Sequence, residues 1–286
     1  MGDRFIAYLA CEGLAPVSPS ALAEQIERLF PSAPLRARAV SGASPLSAGG
    51  GFLLEFEGSL VSVIAVDNSL PRDAYERALR LDRVWPAAGE AMASHSAHVI
   101  VATLKEANSH LEALNGAAQV TLTVAALATL VPGVAVVWAN GDVITRTDRF
   151  SEAAHAFAQR QIRPDIWIGF DWLDGPPLQG GQRTLALTTT GLTAFVGREI
   201  EWLPAALPPT TIARRVFGVC QYLIVSGMVL KDGETVGVSE SERIRVRFAE
   251  RGQRGAPVIQ LTMEIGPVAG RPRAHDQAPH ISNLLQ

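Results

Sequence analysis

The sequence predicts an α+β protein, with helices packed on mainly antiparallel or mixed sheets. Three observations predict it. Short apolar runs with strand composition recur along the chain, among them FLLEFEG, LVSVIAV, HVIVATL and RIRVRF. Between them lie longer segments whose apolar residues repeat at helical spacing. The chain has 286 residues and is 48% hydrophobic, enough to bury a substantial core without disulfides or metals.

The elements follow in order. Residues 4–10 read as a strand, rich in aromatic and aliphatic side chains. Ser18-Pro19 opens a helix, with Ser at the N-cap and Pro at the first helical position, and Leu22, Ile26 and Leu29 make its apolar face. Residues 35–40 suit a short strand, and SGASPLSAGGG (41–51) is a loop by composition. FLLEFEG and LVSVIAV, parted by Gly58-Ser59, form a hairpin signal. Pro71 introduces a helix through Ala74, Ala78, Leu81 and Trp85, interrupted at Pro86 and resumed to about Ser94, before the strand HVIVATL. This order, β-α-β-β-β-α-β, resembles a ferredoxin-like split unit with an extra strand.

The theme repeats in the middle. A buried helix to Val131 is followed by strand VAVVWA, a helix from Asp148 (its N-cap) to Arg160, and a strand over 165–170. TLALTTT is strand-like, and Pro208-Pro209 leads into a helix through Ile212, Val216, Val219 and Leu223. KDGE is a turn. RIRVRF alternates cleanly enough that one face must be solvated, and PVIQLTMEI is the last strand. The expected division is an N-terminal half, 1–105, a C-terminal half, 106–265, and a mobile tail, 266–286, which is rich in Pro, Arg, His and Gln. Two ferredoxin-like halves are left open by this order; no sequence repeat of fixed short period occurs.

Composition excludes several occupations. The net charge is −3, only Lys105 and Lys231 are lysines, and the arginines are scattered. A nucleic-acid surface is expected to cluster its cations, so none is expected here. No charged residue lies between Glu112 and Asp142, but Asn115, Gln119, Thr121, Thr123 and Thr129 thin that stretch and Pro132-Gly133 cuts it. It reads as a buried helix and strand rather than a membrane span. Cys11 and Cys220 sit far apart in apolar runs without a CxxC partner. Two reduced, buried thiols, and no secretory h-region, point to the cytoplasm.

The words T-x-G-L-x-x-F-x-x-x-E-I-E and L-K-D-G-E-T-V-G are carried by Thr189, Gly191, Leu192, Phe195, Glu199, Ile200, Glu201 and by Leu230, Lys231, Asp232, Gly233, Glu234, Thr235 and Gly237. With the helix between them, they resemble the bacterial family known as domain of unknown function 4261, over the C-terminal third (188–265). VWPAAGEAMASHSAHVIVA resembles, more loosely, a segment that often precedes that domain. The resemblance implies no activity and no catalytic residues. Arg198 stands where members tend to have a small residue or lysine.

Candidate contacts are Glu199, Glu201, Arg198, His98 and Trp172. On a strand, Glu199 and Glu201 share one face and Ile200 takes the other. Paired carboxylates can exchange protons or hold a hard cation, and equally make a solvated strand face. His95 and His98 are three apart, but a strand starting near His98 would point them apart and no third ligand is near, so no metal is expected. Trp138 and Trp167 fall in expected strands and read as core, whereas Trp172, beside a loop, suits an interface anchor. Asp232-Gly233 is a turn dipeptide without the further acids of a calcium loop. The glycine runs lack the strand–helix context of a phosphate loop, and no cofactor is expected. Two readings result: a non-catalytic module that binds a protein partner, or a small-molecule enzyme or sensor with an acidic cleft between the halves.

Overall fold

The computed structural model describes residues 3–40, 44–178, 180–239 and 242–264. It divides into two compact units, Met1–Gly169 and Phe170–Gln286. The expected loop residues 41–43 and the tail from 266 lie outside the described residues.

The first unit contains β1 (Ile6–Cys11), α1 (Pro19–Leu29), β2 (Ala37–Ala39), β3 (Gly51–Phe56), β4 (Ser59–Val66), α2 (Glu76–Leu81), α3 (Ala88–Ser94), β5 (Ala97–Thr103), α4 (His110–Leu127), β6 (Gly133–Trp138), β7 (Val143–Arg146) and α5 (Thr147–Ala158). Local chemistry sets several of these. Ser18 caps α1 by accepting from the Ala21 amide at 3.1 Å, and Ser109 caps α4 by accepting from Glu112 at 3.2 Å. The β3–β4 hairpin turns on Glu57 (φ 46°) and Gly58 (φ 87°), with Phe56 opposite Ser59. Both turn residues are left-handed, as a two-residue turn matched to strand twist requires.

The strands form one antiparallel sheet in the order β2-β3-β4-β5-β1-β6-β7. Helices α1, α4 and α5 pack on it, over buried Leu9, Leu54, Phe56, Val61, Val63, Val99 and Val101. α4 is buried on nearly every side, and two of its buried threonines find partners within the unit. The Thr121 hydroxyl accepts from the Trp167 indole (2.8 Å) and Thr123 donates to the Gln119 carbonyl (2.7 Å). Helices α2 and α3 make a second, smaller layer, closing Tyr75, Ala78, Ala88 and Met92 over Ala10, Ala135, Val137 and Ile144.

The second unit contains β8 (Gly169–Gly175), which starts at the junction, β9 (Thr184–Thr190), α6 (Thr193–Val196), β10 (Glu199–Ala205), α7 (Pro209–Ser226), β11 (Thr235–Ser239), β12 (Glu242–Ala249) and β13 (Val258–Glu264). Its sheet is mixed, ordered β11-β12-β13-β10-β9-β8, with β10 and β13 parallel. α7 packs on β9 and β10 through Ile212, Val216, Val219, Cys220, Leu223 and Ile224. Among the described residues no helix is long and apolar enough to cross a membrane.

The α+β class holds, with corrections of detail. Ferredoxin-like halves do not describe it: β1 and β2, joined through α1, are separated by β5, β4 and β3, whereas a split β-α-β unit intercalates one strand. The unit boundary falls after Gly169 rather than near 105, because β6 and β7 extend the first sheet beside β1. The strand expected over 165–170 is a 3-10 turn, Pro164–Ile166, and β8 starts later. Pro164 cannot donate to a ladder, and its carbonyl accepts from Trp167 and Ile168 at 2.9 and 2.8 Å. Asp148 is not the cap of α5. Arg146 holds that position without a side-chain cap, and Asp148 pairs with the Arg146 guanidinium.

Candidate functional site

The family-like words meet at one end of the second sheet. β9 ends at Thr190, the chain turns through Gly191 (φ 102°) into the single turn of α6, leaves it through Gly197 (φ 76°) and enters β10 at Glu199. Both glycines occupy left-handed backbone. This brings Glu199 back onto the turn that precedes it. Its carboxylate accepts from the Thr189 hydroxyl (2.6 Å), from the amides of Gly191 (2.9 Å), Leu192 (3.2 Å) and Thr193 (3.0 Å), and from the Thr193 hydroxyl (2.8 Å). Thr189 in turn accepts from the Ile200 amide at 2.8 Å. One carboxylate thus satisfies the amides of the turn leading into α6 and ties β9 to β10.

Glu201 is 2% exposed. It accepts from the Gln253 amide, in the loop between β12 and β13. Gly252 lies so close that a Cβ there would strike the Glu201 carboxylate and Val258. In the same loop Arg254 donates to the Thr190 hydroxyl and to Asp171 of β8. Glu199 and Glu201 share strand parity, and their hydrogen bonds come from different loops. Arg198 donates to the Ala249 carbonyl (3.1 Å) and Glu250 (2.7 Å) and stacks over Phe248, 4.8 Å from the ring centroid. It clamps the ends of β10 and β12. Asp232 accepts from the Phe248 amide at 2.7 Å, and Gly233 (φ 82°) completes the turn into β11.

The remaining candidates lie apart. His98 is a buried residue of β5, bonded through Nδ1 to the Asn68 carbonyl at 2.7 Å and edge-on to Tyr8. His95 bonds the Met92 carbonyl through Nδ1 and accepts from the Leu70 amide at Nε2, 2.7 Å. Trp172 is half-buried in β8, the edge strand of its sheet, which runs into the loop after Gly175. Among the described residues no group of three or more His, Cys, Asp and Glu is placed to hold a metal ion. Both thiols are buried. Burial pushes Cys11 up to about 12; burial, and then the charge of Glu199, pushes Cys220 up as well.

The most distinctive exposed surface is on β12. Ile244 and Val246 are buried, while Arg243 and Arg247 are exposed and Arg245 is half-exposed. Register places Glu264, Thr262 and Gln260 of β13 beside these arginines, and Thr235 of β11 beside Arg245. Arg245 pairs with Glu264 through two hydrogen bonds of 2.8 and 3.1 Å. That contact, with help from the charges of Arg243 and Arg247, holds the Glu264 carboxyl below its ordinary range. Neither Arg243 nor Arg247 makes an ion pair with another described residue. Sequence reasoning found the solvated face but not its use. The signal was there in the repeat of one residue type, arginine, at every second position of RIRVRF. Asp171, Thr190, Gln253 and Arg254 were missed, because only the fold brings the β12–β13 loop onto β8 and β9.

Residues 188–262 match the family model described as a domain of unknown function (DUF4261). They run from within β9 to within β13 and include the Glu199 turn, the β12 arginines and the Asp232 turn. No curated protein and no solved structure matches the chain.

Proposed function

From a chain whose residues 188–262 carry a DUF4261 domain, we propose a non-catalytic protein-binding module. Its partner-facing surface is the polar face of the second sheet along β12. The arginine ladder carries this reading. Arg243, Arg245 and Arg247 alternate with buried residues, so their side chains leave one face at intervals of roughly 6.8 Å. An extended acidic segment presents its own alternate side chains at the same interval. Gln260 and Thr262 of β13 supply neutral hydrogen-bonding groups beside the charges.

A nucleic acid is the less suitable occupant. A single strand needs aromatic platforms for its bases, and the residues registered beside the arginines are Thr235, Gln260, Thr262 and Glu264. The acidic-cleft reading loses its support from a different direction. Glu199 already accepts five hydrogen bonds and Glu201 is sealed beneath Gly252 and Gln253, so both carboxylates are engaged within the fold.

The test is native mass spectrometry of the wild-type chain and of Arg243→Glu/Arg247→Glu, each gently purified from the host, with poly-L-glutamate binding measured on both. The expected result is a polypeptide held at fixed stoichiometry by the wild type and lost from the variant. It is accompanied by poly-L-glutamate binding that weakens steeply with salt. A small non-covalent mass lost on Glu201→Gln instead would overturn the reading in favour of a pocket. Partner binding indifferent to both arginines would remove the ladder from it.

A further inference from the structure

The three arginines of β12 are not equivalent. Arg243 and Arg247 are exposed, and neither makes an ion pair with another described residue. Arg245, between them, is engaged on both sides. Its Nε and one Nη donate to the two oxygens of Glu264 at 2.8 and 3.1 Å, the parallel geometry that a guanidinium makes with a carboxylate. Its other Nη donates to the Gly233 carbonyl at 2.6 Å, in the turn before β11. Glu264 stands opposite Arg243 in the register of β12 and β13 and reaches diagonally to Arg245. The same face therefore carries two outward cations with a neutralised pair between them.

Building on the protein-binding reading of this face, we infer that the partner segment carries acidic residues at positions i and i+4 and a neutral one at i+2. An extended chain laid along β12 repeats its side chains every ~6.8 Å, so positions i and i+4 stand ~13.6 Å apart, the interval between Arg243 and Arg247. A carboxylate at either end meets a guanidinium without an ion-pair partner. A carboxylate at i+2 meets Arg245 and takes its fork only by displacing Glu264. That exchange swaps one carboxylate for another and leaves Glu264 unpaired beside the incoming charge, so the middle acid gains nothing. A neutral polar residue at i+2 avoids the repulsion and lies beside Thr262, which is exposed opposite Arg245 on β13. The pattern is symmetric, so a segment running in either direction satisfies it. Glu264 is thus a specificity-determining residue that acts by repulsion, and the outer arginines supply the attraction.

The experiment compares two peptides of identical composition and charge, acetyl-Glu-Ser-Thr-Ser-Glu-amide and acetyl-Glu-Ser-Glu-Ser-Thr-amide. Each is titrated into the isotope-labelled full chain while the arginine Nε–H resonances are followed. In the wild type the first peptide is expected to bind about fivefold tighter than the second, shifting Arg243 and Arg247 together. Glu264→Gln keeps an acceptor for Arg245 but removes the charge, and circular dichroism checks that the sheet is intact. It is expected to bring the two peptides to within about twofold of each other, by strengthening the second.

Equal binding of both peptides by the wild type overturns the inferred spacing and leaves the arginine ladder standing as the docking face. A preference that survives Glu264→Gln unchanged overturns the part assigned to Glu264. Binding of neither peptide, with the arginine resonances unmoved, overturns the ladder itself and with it the spacing built on it.

Discussion

Glu199→Gln separates the two uses a carboxylate at the head of β10 can have. The side chain is nearly isosteric, so packing against α7 is unchanged, but one oxygen becomes an amide nitrogen. Whichever oxygen is replaced, two or three of the five donors from Thr189, Gly191, Leu192 and Thr193 then face a donor. The threonine hydroxyls can rotate away. The backbone amides cannot, and each one orphaned costs ~1–3 kcal/mol, on top of losing bonds to a charged acceptor. We expect a loss of about 3 kcal/mol. At a urea dependence of ~1.5–2 kcal/mol/M that lowers the unfolding midpoint by ~1.5–2 M. Because the chain has two units, the shift belongs to one transition, and the fluorescence of Trp202 in β10 reports it. Hydrogen exchange at Gly191, Leu192 and Thr193 accelerates in parallel. A midpoint change of less than ~0.3 M with an unaltered slope, and amides still protected, would refute the structural role. It would return Glu199 to the list of groups free to act on a ligand.

The same reasoning extends to other residues. Gly252→Ala drives a methyl into Glu201 and Val258 and is expected to cost ~2–4 kcal/mol, read as a lower urea midpoint, whereas Gly255→Ala serves as a control for left-handed strain alone. His95→Ala removes the acceptor of the buried Leu70 amide and is expected to cost ~2–3 kcal/mol, with faster exchange at that amide while sedimentation of the chain is unchanged. The folded chain keeps the Cys11 proton up to about 12, against an ordinary value of 9.0. The unfolded chain therefore releases it first, and stability falls as pH rises from 9 toward 12. Cys11→Ala should flatten that part of the pH–stability curve, and neither native thiol should react with a disulfide reagent at pH 8 on the timescale of mixing.

Much of the fold was legible because local patterns and long-range packing agree. Ser18-Pro19 carries its own cap, Leu22 and Ile26 fall on one side of α1, and the two left-handed residues before Ser59 turn the hairpin. The charge-free stretch after Glu112 resolved into α4 and β6, because each of its threonines finds a bond inside the unit or lies under it. Legibility failed where a short stretch had two local solutions. Residues 165–170 have strand composition, yet Pro164 closes a 3-10 turn, and Asp148 suits a cap but is taken by Arg146. The candidate site was partly legible. The alternation of RIRVRF and the parity of Glu199 and Glu201 came from the period of two, whereas the partners of those carboxylates did not.

The sequence by itself determined the class of fold, the identity of most elements and the family match over 188–262, since each rests on spacing within a few residues of chain. Only the tertiary structure decided that Glu199 accepts five hydrogen bonds from the turn before it, that Glu201 is sealed and that half of one sheet face stands open. Those properties depend on which loops and layers arrive from elsewhere. The reason is physical: a residue's neighbours along the chain set its periodicity, but burial and hydrogen-bond satisfaction are set by groups many residues away. Gln253 reaches Glu201 across fifty-two positions of sequence, and no local pattern announces such a contact.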